Sequence, residues 1–157
     1  MSIREKLNSA LAGASGGGPY ELRVDDGDLC LDCHIASADP LAVSITRLEL
    51  TTNRLARAGV ADLQRISEQL AGRITYLLEP IGPIESDSEQ CVVQMRSSPP
   101  QQDDDGKTYY ELLIRRGGSL ALARYQQNGP TGRHSVPAVV TREVLLRLAG
   151  DFAAVLE

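Results

Sequence analysis

Tryptophan is absent from this chain and phenylalanine occurs once. With five tyrosines, aromatic residues make up only 4% of the 157 residues, so the core must be built from Leu, Ile, Val and Ala. The same scarcity argues against functions that depend on aromatic platforms, such as stacking on single-stranded nucleic acid. Long apolar runs are also missing: nothing approaches the ~18 consecutive apolar residues that mark a membrane-spanning helix. Residues 1–12 are charged and amphipathic, without the apolar middle of a secretory signal. The cytoplasm is therefore the expected location, where Cys30, Cys33 and Cys91 would stay reduced. Basic charge is in deficit, with a net charge of −5, which opposes broad binding to nucleic acid or to anionic membranes.

The deficit is uneven. Residues 1–106 carry a net charge of −8, residues 107–147 carry +5, and the last ten carry −2. Such polarity suits self-association or an acidic partner, although solvated charges also cluster without consequence.

A chain of this length suits one domain with a core large enough to need neither disulfide nor metal. The expected organisation is a single domain over residues 1–157, with an N-terminal helix (1–12), a Gly/Ser linker (13–19) and a globular core (20–157). Ser2 and Glu5 have the spacing of a capping box, and Ile3, Leu7, Ala10 and Leu11 form one stripe, so a short helix is expected there, docked loosely or on a neighbouring subunit. Val60, Leu63, Ile66 and Leu70 stripe a second helix over 60–72, and Leu145, Leu148, Phe152 and Val155 a third, capped by Thr141.

Between the helices the pattern has period two. Asp26-Gly27 is a hairpin signal that pairs Val24 with Leu29, Leu22 with Leu31 and Tyr20 with Cys33, all on one face, leaving Cys30, Asp32 and His34 on the other. Leu41, Val43 and Ile45 alternate in one phase and Leu48 and Leu50 in the other, which calls for a bulge near Thr46-Arg47. A strand region is expected to begin over 74–78, interrupted by Pro80 and Pro83 as at a sheet edge, and a strand follows over 91–96. Gly117-Gly118 predicts a second hairpin that sets Tyr110 against Tyr125 and Glu111 against Arg124. Residues 128–135 look like a loop, with a short strand over 136–140. Strands joined by tight turns are antiparallel. The expected fold is thus α+β, a mainly antiparallel sheet of about 7–8 strands with three helices.

Four short motifs carry the shape of a chemistry. Residues 30–34 match C-x-x-C-H, the attachment pattern of c-type haem. A strand, however, turns Cys30 and Cys33 to opposite faces, so they cannot clasp one macrocycle. Cys30, Cys33, His34 and Cys91, with His134 in reserve, offer four zinc ligands, but the same alternation splits the first pair. Residues 13–17 match G-x-S-x-G, yet a nucleophile elbow needs a strand before it and a helix after it, the reverse of the order here. Residues 103–106 resemble the middle of a calcium loop without the first and last ligands. No cofactor is expected.

The second hairpin is the best surface candidate. Tyr109, Arg115, Arg116 and Arg124 combine residue types that grip phosphate or a protein partner. The expected function is a small, non-enzymatic binding or accessory protein acting through protein–protein contact or as a homodimer. The alternative is a small enzyme or metal-binding protein whose site is assembled from distant residues around Cys30, His34 and His134.

Overall fold

Local hydrogen bonding sets where each helix starts. In the computed structural model, which describes residues 1–14 and 18–157, α1 (Ile3–Gly13) begins with a reciprocal cap. The Ser2 hydroxyl accepts from the Glu5 amide, and the Glu5 carboxylate accepts from the Ser2 amide. The Gly59 amide donates to Asp62 at 2.9 Å at the start of α2 (Val60–Arg73). At α3 (Arg142–Ala154) the Thr141 hydroxyl accepts from the Val144 amide. Each helix buries one stripe: Ile3, Leu7 and Leu11; Leu63, Ile66 and Leu70; Leu145, Leu148 and Phe152. α1 packs against the first strand and α3 of its own chain, so it is an integral part of the core rather than a loose or swapped arm. No helix among the described residues is long and apolar enough to cross a membrane.

Among the described residues, ten strands form one antiparallel sheet: β1 (Tyr20–Asp26), β2 (Leu29–Ala38), β3 (Ala42–Thr52), β4 (Ile81–Asp87), β5 (Val92–Ser97), β6 (Gln101–Asp103), β7 (Gly106–Arg115), β8 (Ser119–Gln127), β9 (Arg133–Val136) and β10 (Ala138–Thr141). The α+β class, the antiparallel sheet and the three helices are as expected. The strand count is higher because β6, β9 and β10 span only three or four residues, too few for alternation to declare itself. β9 replaces part of what reads as a loop over 128–135. Residues 74–80 are irregular rather than the start of a strand, and β4 begins only at Ile81. β4 does lie at the edge of the sheet, where Pro83 is tolerated.

Both hairpins depart from the expected register. In the first, Tyr20 pairs with Ile35, Leu22 with Cys33 and Val24 with Leu31, because the chain turns on Gly27-Asp28. Gly27 sits at φ 64°, the backbone region that glycine enters freely. A shift of two residues keeps every side chain on its expected face. In the second, the loop is Arg116-Gly117-Gly118 and the register slips by one, so Tyr109 pairs with Tyr125, Tyr110 with Arg124 and Glu111 with Ala123. A one-residue slip exchanges facing partners, and Glu111 and Arg124 end on opposite faces of the sheet. Gly118 fixes this loop: at φ 102°, a Cβ there would lie 2.0 Å from the Thr52 carbonyl oxygen. The expected bulge is present, since His34 pairs with Arg47 and Ile35 with Ile45, leaving Thr46 over.

The sheet has an inner face that meets the helices and an open outer face. Leu31, Cys33, Leu48, Leu50, Leu112, Ile114, Leu120 and Leu122 are buried inward in one cluster with the helix stripes. The sheet also forks. β3 and β8 pair from Leu48–Leu122 to Thr51–Ser119. Beyond that, β3 pairs with β10 and β8 with β9, while Pro137 alone separates β9 from β10. Among the described residues no ladder joins β9 to β10. One limb is therefore β1-β2-β3-β10, and the other is β9-β8-β7-β5-β4.

Candidate functional site

A carboxylate in an apolar strand needs partners, because burying an unpaired charge costs several kcal/mol. Glu111, in the run Tyr-Tyr-Glu-Leu-Leu-Ile of β7, is 3% exposed and points to the outer face. Its partners come from two other strands, β5 and β9. Arg133 of β9 donates both terminal nitrogens, Nη1 to Oε2 and Nη2 to Oε1, the latter at 3.0 Å. Gln94 of β5 donates to Oε2 at 2.8 Å, and Arg96 Nη2 lies 3.4 Å away. The two guanidinium groups rest on tyrosine rings, Arg96 at 4.5 Å over Tyr109 and Arg133 at 4.0 Å over Tyr125. The rings themselves are 6.3 Å apart. Two arginines and two tyrosines are thus interleaved on a rigid sheet around one buried carboxylate.

Burial alone would raise the Glu111 pKa, but hydrogen bonds from Arg133, Gln94 and Arg96 outweigh it and hold the carboxyl below its usual value. The charged form is favoured more in the folded than in the unfolded chain. The group therefore stabilises the fold at pH above its unfolded pKa, and that stability is lost as pH falls through the lower, folded value. Urea midpoints measured between pH 7 and the acid range are expected to fall more steeply for the wild type than for Glu111→Gln. Parallel curves would remove Glu111 from the acid response.

A second cluster lies on the inner face at the fork. Arg124 of β8 forms an ion pair with Glu79, Nη2 to carboxylate oxygen at 3.0 Å, and donates to the Thr108 hydroxyl at 3.0 Å, with its guanidinium 4.5 Å over the Tyr110 ring. Glu79 also accepts from the Ser97 hydroxyl at 2.8 Å, and Ser97 accepts from the Tyr110 amide at 2.8 Å. Burial pushes the Tyr110 phenol above its ordinary value, so it stays protonated. A cavity of about 460 Å³ opens beside this network, walled by Leu77, Tyr110, Arg124, Pro137, Val140 and Val144. Tyr76 lines it too, but its hydroxyl is committed to Asp151 at 2.6 Å.

The four surface candidates of the second hairpin are thereby dispersed. Tyr109 joins the outer cluster, Arg124 the inner one, and Arg115 and Arg116 stand exposed at the hairpin tip. The cysteines and histidines are dispersed as well. Cys33 is wholly buried in the core, where desolvation pushes its thiol up to about 12, and Cys30 lies half-buried on the opposite face. Cys91 is buried at the far limb, with its thiol 3.5 Å from the Ala58 carbonyl oxygen. His34 pairs with Glu21 across β1–β2 at 3.2 Å, and His134 is exposed on β9 of the other limb. Among the described residues no three such side chains are placed to hold one metal ion. The G-x-S-x-G motif lies partly outside the described residues, at Ser15 to Gly17. Residues 103–106 form a tight β6–β7 turn in which Asp103 accepts from the Asp105 amide.

Sequence reading missed Glu79, Arg96, Glu111 and Arg133 as site residues. Two of them did carry a signal. Glu111 and Glu79 are single carboxylates inside apolar runs, and each implies a buried cation; what the sequence does not reveal is which of the sixteen basic residues answers. Compared with family models, with curated proteins and with solved structures, the chain matches none.

Proposed function

We propose that this is a small, non-enzymatic interaction protein that self-associates through its open sheet face. The observation that carries this reading is the outer cluster. Arg and Tyr are the side chains that most often dominate binding energy at protein interfaces. Here two of each are held by mutual stacking and by Glu111, so little side-chain entropy remains to be lost on association. The surrounding charge supplies a complement. β1–β3 present Glu21, Asp25, Asp32 and Glu49 outward against Arg23 and Arg47, an acidic surplus, whereas β5, β7 and β9 present Arg96, Lys107, Arg115 and Arg133 against Glu111. Glu85 and Asp87 bound the basic region on its far side. Small residues Ala121 and Ala123 lie between, so two faces can approach closely. The acidic limb of one copy can cover the basic centre of another, an isologous arrangement.

Sedimentation equilibrium at increasing salt tests it. The mass should exceed one chain at low salt and fall toward one chain as salt screens the charges. Tyr125→Ala should weaken association about tenfold, an effect of about 1.4 kcal/mol. A single-chain mass at every concentration and salt would sink the proposal.

A further inference from the structure

The fork in the sheet has properties that the outer face does not explain. Arg124 Nη1 is buried and makes no hydrogen bond, although the same guanidinium satisfies Glu79 and Thr108 through Nη2. A buried donor left unpaired costs on the order of 1–3 kcal/mol, and such groups in native structures call for an explanation. The cavity beside it falls within the ~300–1,000 Å³ typical of ligand sites and is walled chiefly by apolar side chains. At its rim, Leu78 is 92% exposed with φ 67°. That is a left-handed conformation a leucine rarely adopts, and it costs about 1–3 kcal/mol. The neighbours Leu77 and Glu79 turn inward while Leu78 is held out in water. Val139, 70% exposed, stands at the same rim on β10. Finally, among the described residues β10 pairs with β3 alone, so its second edge carries backbone groups without a described strand neighbour.

We propose that the fork is a binding site for an extended peptide segment of another protein, which adds as a strand to the free edge of β10 and places an apolar side chain in the cavity. Each unexplained feature then has a partner. The peptide backbone pairs with β10, as in other cases of strand addition. One of its carbonyl oxygens accepts from Arg124 Nη1. Leu78 and Val139 close over the apolar side chain and leave water. Because side chains alternate along a strand, only every second residue of the peptide meets the cavity. The preferred segment therefore alternates apolar residues with residues of any type. Glu79 already neutralises Arg124, so the peptide needs a neutral carbonyl there rather than an acid. This separates the site from the charged outer face.

The test uses the whole chain and a displayed library of random peptides. Selection should enrich segments with apolar residues at every second position. A synthetic version of the enriched peptide should slow amide hydrogen exchange at residues 138–141. Leu78→Asp and Val139→Lys change exposed side chains and should leave the melting temperature unchanged, and each should weaken peptide binding at least tenfold. An enriched peptide that leaves exchange at 138–141 unaltered, or that binds both variants as tightly as the wild type, overturns the assignment. So does a library that yields no enriched sequence. A fatty acid that binds with the same sensitivity to Leu78→Asp but without protection of β10 would show the site to be a lipid pocket instead.

Discussion

Replacing Arg124 by Met is expected to destabilise the fold by about 3–5 kcal/mol, because it leaves the buried Glu79 carboxylate without its cation. The Glu79 side chain is only 5% exposed, and its remaining partner is the Ser97 hydroxyl, a single neutral donor. For a chain of this size the loss corresponds to a fall in melting temperature of roughly 6–20 °C. The double variant Glu79→Gln, Arg124→Met should recover most of it. Glutamine keeps an oxygen for Ser97 and carries no charge to strand, and a buried pair replaced whole is commonly close to neutral. Calorimetry on the two variants decides the matter. Equal melting temperatures for the single and the double variant would mean that the ion pair is not what holds residues 79, 97, 110 and 124 together.

Phe152→Ala should be comparably severe, at about 3–5 kcal/mol. Phe152 is the one phenylalanine of the chain, wholly buried on α3 among aliphatic side chains. The core around it is mainly aliphatic, and leucines and valines fill a flat cavity badly. The urea midpoint should fall without a change in slope, since the surface exposed on unfolding is nearly the same. A loss below ~1.5 kcal/mol would show that α3 settles inward to close the gap.

These two sites differ in how far the sequence announces them. The stripe of Leu145, Leu148 and Phe152 gives the buried face of α3 directly, because helical spacing is a local property. So do the capping residues Ser2 and Thr141 and the phase change that demands a bulge at Thr46. The ion pair is not local. Glu79 and Arg124 meet only because the second hairpin turns on three residues instead of two, and Gly117-Gly118 permits either loop. A two-residue loop would set Glu111 against Arg124, an opposite-charge pair that looks correct on its face. The geometry that rejects it is the approach of Gly118 to the Thr52 carbonyl, a contact between segments more than sixty residues apart. The fork is hidden for a related reason. It depends on which strand β9 and β10 each choose as neighbour, and strands of four residues carry too little pattern to express a choice.

The late place of β10 in the order of strands bears on how the chain comes into being. The first three strands emerge from a ribosome as a meander whose fourth neighbour, residues 138–141, follows about 90 residues later. α1 must wait as well, since its resting place includes α3, where Arg142 donates to the Leu11 carbonyl and Arg4 meets Glu143. At ~5–20 residues per second that interval is roughly 4–18 s. During it, the nascent meander presents an unpaired strand edge and an uncovered aliphatic face to its surroundings, the two features most prone to misassociation. Consolidation of the N-terminal limb thus waits for residues 138–154, and a holding chaperone that shields aliphatic surface would have its main opportunity before residue 138 is made.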